Sequence, residues 1–187
     1  MIKDNASVDI ILPNYNSEKF INESIQSVIK QNFQNWRLII IDDNSDQKTK
    51  KILKKYENFK KIKIYWLKQN RGAAYCRNYG IKNSKSSYIA FLDSDDYWEK
   101  NKLKNQISFM RTNNYEFTYT NYTTIGKKKI KIKPPHRLSF SSFIKNTSIG
   151  TSTMIVKRKI IKNIKFSNTK ICEDYFFKCK ILKKIKF

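Results

Sequence analysis

Three carboxylates stand directly after a short apolar run in the segment YIAFLDSDDYWEK. The run at residues 88–92 is typical of a strand that is buried on both faces of a parallel sheet. Asp93, Asp95 and Asp96 follow at once, and their charges repel one another and resist the loss of water. Mg²⁺ and Mn²⁺ prefer such oxygen ligands and retain waters and substrate phosphates in their coordination shell. We therefore expect Asp93 and Asp95 to hold Mn²⁺ or Mg²⁺.

Helix capping is the alternative role for these carboxylates. Either Asp95 or Asp96 could cap the helix that follows the strand, because a short acidic side chain at that place accepts hydrogen bonds from free backbone N–H groups. Capping is the favoured interpretation for Asp96, whereas the metal site is favoured for Asp93 and Asp95 together.

Two earlier apolar runs also end in polar residues. Pro13 ends the run in VDIILPNYN and presents Tyr15, whose ring could stack on a nucleobase; ordinary packing of the tyrosine is the alternative. Asp42 and Asp43 end the run in WRLIIIDDNSD. Asp43 could accept a hydrogen bond from the imide N–H of uracil, while Asp42 fits the capping position of a turn better.

Two arginines lie in the stretch NRGAAYCRN. Arg71 or Arg77 could bridge to a diphosphate through a planar guanidinium group. On a helix they would be separated by more than a turn and a half, so they need not point the same way, and the choice between them stays open. Gly72 permits a tight turn between them.

A further carboxylate pair, Glu173 and Asp174, introduces an amphipathic segment in ICEDYFF. Such a pair commonly caps a helix. A catalytic role is the alternative, and spacing alone favours the cap.

The apolar pattern alternates between strand and helix periods. Strands are predicted at residues 8–12, 38–41, 62–67 and 88–92. A helix is predicted after each strand. The first covers residues 20–29, with Asn16 or Ser17 as its cap. The second ends at about residue 57, the third ends at about residue 81, and the fourth contains Leu103, Ile107 and Met110. The alternation predicts an α/β fold with a parallel, doubly wound sheet and right-handed crossovers. Ligands bind beyond the carboxyl ends of such strands, so the candidate residues should converge on one edge.

The pattern weakens beyond residue 124. We expect a strand in YEFTYTNYT, a basic loop or hairpin in IGKKKIKIKPPHRLSF, a short helix in SFSSFIKN and a strand in TSTMIVKRKII.

The composition limits the function classes. A chain of 187 residues fits one domain, and its formal net charge of +24 indicates either compositional bias or an anionic partner. No nucleic-acid motif accompanies the lysines, so we expect no nucleic-acid partner. The cysteines Cys76, Cys172 and Cys179 lack C-x-x-C spacing and are predicted to be reduced thiols of a cytoplasmic protein. A single histidine, His136, argues against a Ser-His-Asp enzyme, and neither a signal segment nor a membrane-spanning run is predicted.

Taken in order, VDIILPNYN, QNFQNWRLIIIDDNSD, NRGAAYCRN, YIAFLDSDD and ICEDYFF resemble the family 2 glycosyltransferases over nearly the whole chain. The resemblance implies the GT-A fold and inverting transfer of a sugar from a nucleotide diphosphate donor to an acceptor hydroxyl. It also implies a UDP-sugar donor and a role in the assembly of surface polysaccharide, lipopolysaccharide or capsule. The expected acceptor is a glycan or a lipid-linked glycan, with peripheral contact at the anionic inner face of the membrane.

The resemblance also implies roles for individual residues. On the donor side, the nucleobase, ribose, sugar and diphosphate would be bound by Pro13, Tyr15, Asp43, Arg71 or Arg77, Asp93 and Ser94. Asp95 would hold Mn²⁺ or Mg²⁺ on the diphosphate. Asp174 resembles the general base of the family, with Glu173 as its neighbour, and this likeness now favours catalysis over capping.

Several features depart from the family pattern. Asn14 stands where Thr or Ser is more common, and NIKF at residues 163–166 stands where a Gly-Gly-Phe step is often found. The chain ends about one helix after ICEDYFF, where relatives continue, so we expect one GT-A domain over residues 1–187 that is truncated on its C-terminal side. Residues 1–97 would form its nucleotide-sugar-binding half and residues 98–187 an incomplete acceptor-side half.

Three other classes of protein are alternatives to a family 2 glycosyltransferase. A haloacid dehalogenase phosphatase places D-x-D after the first strand, not the fourth. A dinucleotide-binding dehydrogenase needs G-x-G-x-x-G after the first strand, where this chain has PNYNSE. A non-catalytic, basic surface-binding domain of GT-A type remains as the alternative from a different class.

Overall fold

The computed structural model of the chain describes residues 6–126, 128–169 and 172–185. The strands of these ranges are β1 (Val8–Asn14), β2 (Trp36–Asp42), β3 (Ile62–Trp66), β4 (Tyr88–Phe91), β5 (Phe117–Thr118), β6 (Tyr122–Thr124), β7 (Ile130–Ile132) and β8 (Ile155–Lys157). The helices are α1 (Ile21–Ile29), α2 (Gln47–Lys54), α3 (Ala73–Lys82), α4 (Lys102–Thr112), α5 (Phe140–Phe143) and α6 (Glu173–Lys184), and a 3₁₀ turn covers Thr151–Thr153. No helix in the described ranges is both long and apolar enough to cross a bilayer.

Six strands form one sheet in the order β3-β2-β1-β4-β8-β5. β1 to β4 run parallel, and β8 runs antiparallel to its neighbours β4 and β5. The α/β prediction with a mostly parallel sheet is therefore confirmed. β6 and β7 pair with each other in a separate hairpin, as the basic segment after residue 124 suggested.

Helices cover both faces of the sheet, because the central strands are apolar on both faces. Ile10 and Leu12 of β1 pack with α1, α2 and α4, whereas Ile11 packs in the core that includes α3, α5 and α6. α3 lies so close to β1 that a Cβ atom at Gly80 would lie 2.5 Å from Cγ2 of Ile11. These contacts fix the carboxyl end of β1 relative to α3.

Pro13 does not end the first strand, which continues to Asn14. In β1, the backbone N–H and C=O groups of odd-numbered residues point toward β4. The hydrogen bond from the Leu92 N–H to the Ile11 carbonyl shows this direction. The pairing with β4 ends at Ile11, whereas the pairing with β2 continues to Asn14. Pro13 has no N–H to donate, and at this position β1 is no longer paired with β4, so no hydrogen bond of the sheet is lost.

The predicted cap of α1 is wrong. Helix α1 has no side-chain cap, and the backbone carbonyl of Ser17 accepts hydrogen bonds from the N–H groups of Phe20 and Ile21. The Asn16 side chain instead accepts a hydrogen bond of 2.8 Å from the N–H of Asp46, the residue that caps α2. Asn16 thus joins the loop after β1 to the loop after β2.

The antiparallel strand β8 determines which residues reach the site from the second half of the chain. Ala90 of β4 pairs with Ile155 of β8. Because the two strands run in opposite directions, the residues just before β8 lie beside the residues just after β4. The 3₁₀ turn at Thr151–Thr153 therefore lies next to the Asp93–Asp96 segment.

Candidate active site

The carboxyl ends of β1, β2 and β4 enclose a cleft of about 370 Å³. Seven of the ten predicted site residues line it: Pro13, Tyr15, Asp43, Arg77, Asp93, Ser94 and Asp95. The structure thus brings together residues that are up to 82 positions apart, between Pro13 and Asp95. Their individual roles stay predictions.

A buried polar network holds the loops after β1 and β2. The Asn14 amide donates hydrogen bonds of 2.7 Å to Asp42 Oδ1 and 3.1 Å to Ser45 Oγ. Asp42 also accepts from the Ser45 N–H, as its predicted turn-capping role requires. Asn14 was noted in the sequence only as a departure from the family pattern, so its role as the link between two strand ends was missed. Tyr15, the next residue, is 52% exposed and its ring faces the cleft side of this network.

Asp43 fixes the turn that precedes α3. Its two carboxylate oxygens accept hydrogen bonds of 2.7 Å each from the N–H groups of Arg71 and Gly72. Gly72 has φ of 84°, a conformation that glycine adopts without a steric penalty. Asp43 is 3% exposed, so any contact with a nucleobase edge would use the remaining lone pairs of a carboxylate that is already held in place.

The two candidate arginines occupy different environments. Arg71 is exposed, and its guanidinium carbon lies 4.3 Å from the centre of the Tyr75 ring, outside the residues that line the cleft. Arg77 is 6% exposed and lines the cleft. Of the two arginines, only Arg77 is among the residues that line the cleft, and it does so from α3.

Arg77 joins the two acidic motifs of the sequence. Its Nη2 lies 2.6 Å from Asp93 Oδ1, and its Nη1 lies 2.9 Å from Glu173 Oε1. Burial alone would lower the pKa of the Arg77 guanidinium, but the Asp93 and Glu173 carboxylates outweigh it and raise that pKa. Both terminal nitrogens of Arg77 therefore hold protein carboxylates.

The favoured capping role of Asp96 is wrong. Helix α4 begins at Lys102, and Asp96 Oδ2 instead accepts a hydrogen bond from the Ser152 hydroxyl. Partial desolvation raises the pKa of the Asp96 carboxyl above its ordinary value, although the residue as a whole is exposed. The Ser152 hydrogen bond opposes the rise, and the charges of Asp93 and Asp95 add to it. The crowding of carboxylates that the sequence predicted is therefore present in the fold.

The chemistry of these side chains fits a hard divalent cation. Within the described ranges, no three or more His, Cys, Asp or Glu side chains are grouped so as to hold a metal ion by themselves. Asp93 and Asp95 line the cleft, and one oxygen of Asp93 is bound by Arg77. Mg²⁺ and Mn²⁺ are typically held by one or two carboxylates together with substrate phosphates. The donor set thus fits a metal ion whose shell a nucleotide diphosphate completes.

Asp174 is held by two groups at the start of α6. Its Oδ2 accepts hydrogen bonds of 2.9 Å from the Thr151 hydroxyl and 2.5 Å from Lys178 Nζ. Burial alone would raise the pKa of Asp174, but the Lys178 ammonium and the Thr151 hydrogen bond outweigh it and hold the pKa below its ordinary value. Asp174 is therefore a carboxylate at neutral pH and can accept a proton. Within ICEDYFF, Ile171 lies outside the described residues.

The 3₁₀ turn at Thr151–Thr153 contacts both acidic motifs. Thr151 donates to Asp174, and the Ser152 hydroxyl accepts a hydrogen bond of 3.0 Å from the Asp93 N–H. The Ser152 carbonyl accepts from Trp98 Nε1 at 2.8 Å. The sequence pattern predicted a strand for this segment, and the turn and its contacts were not expected. The i,i+4 spacing of Asp174 and Lys178 was readable on the predicted helix, but the contacts of the turn depend on the antiparallel pairing of β8.

A larger cavity of about 880 Å³ adjoins the cleft on the α4 side. It shares Phe20 and Asp95 with the cleft. Its other walls come from the segment between β4 and α4, from α4, from the segment between β5 and β6, from the β6–β7 hairpin and from the 3₁₀ turn. Aromatic and amide side chains dominate these walls, among them Trp98, Asn105 and Tyr119.

Comparisons with known proteins identify the family. Residues 9–184 match the family described as glycosyl transferase family 2. The chain is 39% identical over 183 residues to the UDP-Glc:alpha-D-GlcNAc-diphosphoundecaprenol beta-1,3-glucosyltransferase WfgD of Escherichia coli, with 96% of this chain and 71% of that protein covered. It is 38% identical over 181 residues to the glucosyltransferase of the same description, WfaP, of Escherichia coli, with 95% and 70% covered.

The solved structures agree. The crystal structure of S. aureus TarS 1-349 in complex with UDP-GlcNAc has a TM-score of 0.82 and 26% sequence identity, with 94% of this chain and 53% of that chain covered. The chain belongs to glycosyl transferase family 2 and has the GT-A fold, which confirms the resemblance read from the sequence. It spans about seven-tenths of the length of the two curated relatives and about half of the solved TarS chain.

Proposed function

We propose that this chain transfers a sugar from a UDP-sugar to an acceptor hydroxyl with inversion at the anomeric carbon, in the assembly of a surface polysaccharide. The observation that carries the proposal is the double ion pair of Arg77. It ties Asp93 of the cleft to Glu173, the neighbour of Asp174. The ion pairs would therefore fix the cleft, where a nucleotide diphosphate would bind, relative to Asp174, which would accept the proton.

The cleft suits a nucleoside diphosphate. Pro13 and the half-exposed ring of Tyr15 form one wall, where the flat face of a base can stack. Asp43 stands behind that wall in a fixed orientation. Asp93 and Ser94 also line the cleft, where they would contact the ribose and the sugar. The donor type is supported by the relatives and the TarS complex, whose descriptions include UDP-Glc and UDP-GlcNAc.

The diphosphate would lie beside Asp95 and Asp93, which would hold Mn²⁺ or Mg²⁺. When bound, such an ion supplies positive charge to the departing diphosphate, where negative charge develops as the bond breaks. Arg77 keeps Asp93 in a single orientation for this purpose. The same ion would relieve the repulsion among the carboxylates of this segment.

Asp174 would act as the general base. As the acceptor oxygen forms its bond to the anomeric carbon, the hydroxyl proton passes to Asp174. The bond from the anomeric carbon to the diphosphate oxygen breaks, and its electron pair leaves with the diphosphate. Lys178 and Thr151 both contact Oδ2, and they keep the group ionised and aimed while Oδ1 receives the proton.

The relatives WfgD and WfaP are described as acting on a diphosphoundecaprenol-linked acceptor. We extend this acceptor class to the present chain, with the reaction at the cytoplasmic face of the membrane. A sugar on a lipid diphosphate must be presented at a bilayer surface, so the proposal includes peripheral contact of the protein with an anionic membrane.

The test compares wild-type protein with the Asp174→Asn variant, using UDP-Glc and UDP-GlcNAc with Mn²⁺. UDP affinity should stay close to wild type, while sugar transfer falls on the order of 10²- to 10⁴-fold. Wild-type turnover by the variant would exclude Asp174 as the base. Wild-type protein that binds UDP but neither transfers nor hydrolyses any donor would instead support the non-catalytic alternative.

A further inference from the structure

The positive charge of the chain is unevenly distributed. Residues 98–187 contain 22 Lys and Arg residues against four Asp and Glu residues, whereas residues 1–97 contain 17 against 11. Residues 117–172 include thirteen Lys and Arg residues and not one Asp or Glu. Within one chain, compositional bias would affect both halves alike. The excess in the second half therefore favours an anionic partner for that part of the chain.

The β6–β7 hairpin carries part of this charge outside the six-stranded sheet. Its strands pair only with each other and do not join the six-stranded sheet. Around its tip, Ile125 is 59% exposed and Ile130 is 54% exposed. Lys128 and Lys129 lie between them and are exposed as well. We call residues 125–133 the hairpin tip, as far as they are described.

Exposed apolar side chains continue from the hairpin tip along the rim of the larger cavity. Four of the cavity-lining residues are large and apolar, and each is at least 45% exposed: Phe20, Tyr97, Phe109 and Ile125. An exposed apolar rim with lysines beside it is an unfavourable surface in water. It suits an interface where lysine ammonium groups reach phosphates while apolar groups enter the boundary of the acyl chains.

We propose that the hairpin tip docks on a bilayer that contains anionic phospholipid, with Ile125 and Ile130 in the interface and the neighbouring lysines among the headgroups. The larger cavity would then open at the headgroup level, next to Asp95. This inference rests on the proposed function for its purpose, the presentation of a lipid-linked acceptor. The contact itself requires neither donor nor acceptor.

A second basic surface is the strongest rival. Exposed lysines cover the outer side of α2, including Lys51, Lys54 and Lys55, and Phe59 and Trp66 are exposed nearby. β3 lies at the opposite edge of the sheet from β8 and β5, so this surface is far from the turn that holds Asp174. The Trp66 indole N–H also donates to Glu57 at 3.1 Å, which ties that ring to the fold. The surface around α2 therefore serves as a matched control.

A soluble polyanion is the other alternative, because lysines alone would also bind an acidic polymer. The two exposed isoleucines favour a membrane, since an acidic polymer in water offers them no apolar environment. Replacing the isoleucines should therefore weaken binding to a membrane but not binding to a soluble acidic polymer.

The experiment measures co-sedimentation of the full chain with phosphatidylcholine vesicles that do or do not contain phosphatidylglycerol, without nucleotide. Wild type should bind only the anionic vesicles, and high salt should release it. The triple variant Lys128→Ala/Lys129→Ala/Lys133→Ala should lose roughly 100-fold in partitioning, at about 1 kcal/mol for each lysine near the surface. The α2 variant Lys51→Ala/Lys54→Ala/Lys55→Ala removes the same charge and should bind nearly as well as wild type.

A third variant, Ile125→Ser/Ile130→Ser, separates the two kinds of partner. Its vesicle binding should fall roughly tenfold or more through the loss of apolar burial, while its binding to soluble polyphosphate should not change. Equal losses in the hairpin and α2 lysine variants would overturn the proposal, as would unchanged vesicle binding by the isoleucine variant. Wild type that ignores anionic vesicles would overturn it too. Calorimetric UDP binding, which the hairpin variants should retain, reports on the proposed function separately.

Discussion

Lys178 Nζ lies 2.5 Å from Asp174 Oδ2, one helical turn further along α6, and only 4% of the Lys178 side chain is exposed. This buried ammonium has the largest share in lowering the pKa of Asp174 against the effect of burial. A catalytic base normally gains proton affinity from burial. Here the pairing keeps Asp174 ionised over a wider range of pH and keeps it in one orientation.

The first prediction concerns Lys178→Met. Without the ammonium, burial dominates and the pKa of Asp174 rises. A carboxylate with a lowered pKa loses its basic form only as the pH falls through that lowered value, so the acidic limb of the wild-type profile should lie below the ordinary range of Asp. The acidic limb for kcat should move to higher pH in the variant. Lys180→Met, an exposed position on the same helix, should leave the limb in place.

The second prediction compares Arg77→Met with Arg71→Met. Loss of Arg77 leaves Asp93 and Glu173 without their shared partner, so the free energy of unfolding should fall by about 3 kcal/mol. UDP affinity should fall as well, because Asp93 is released. Exposed Arg71 should change the unfolding free energy by no more than about 0.5 kcal/mol. Similar losses in both variants, measured by denaturant unfolding, would contradict the bridging role.

The third prediction concerns the metal. In wild type, Mn²⁺ should raise the calorimetric affinity for UDP, since Asp95 and Asp93 would hold the ion and the ion would supply positive charge to the diphosphate. Asp95→Asn should abolish this gain. The affinity measured in the presence of a chelator is the internal control and should be the same in both proteins. A full metal-dependent gain in the variant would count against Asp95 as a ligand.

The fourth prediction tests the packing of α3 on β1. A Cβ atom at Gly80 would lie 2.5 Å from Cγ2 of Ile11 and 3.1 Å from Cδ1 of Ile41. Gly80→Ala should therefore lower the free energy of unfolding by about 1–3 kcal/mol, despite the better helix propensity of alanine. Gly126→Ala, where nothing lies within 4 Å of the added atom, should have little effect in the same thermal unfolding measurement.

The first half of the fold was predictable because its strands and helices follow the apolar pattern closely. The convergence of Tyr15, Asp43 and Asp93 on one edge follows from parallel strands, whose carboxyl ends lie side by side. The errors at Pro13 and at the cap of α1 concern ends of elements. The end of β1 depends on its pairing with β2 and not with β4, and the start of α1 depends on the backbone carbonyl of Ser17. The spacing of apolar residues along the sequence does not carry that information.

Contacts between distant segments show why other parts could not be predicted. The role of Ser152 depends on β8 running antiparallel to β4, which no local signal encodes. Arg77 could be chosen over Arg71 only once α3 was oriented on the sheet. Asp96 resembled a cap because it precedes a helix, but the helix begins six residues later, at Lys102. In each case a long-range contact decided the outcome.

The 3₁₀ turn at Thr151–Thr153 has a consequence for how such an enzyme can diversify. Adjacent residues of one turn form hydrogen bonds with the Asp174 side chain and with the Asp93 N–H. If the proposed roles hold, the distance between the general base and the diphosphate site is therefore set by this turn. Loops around the cleft and the larger cavity can then vary to admit new sugars and new acceptors without changing that span. Substitutions within the turn, by contrast, would shift both partners of the reaction at once.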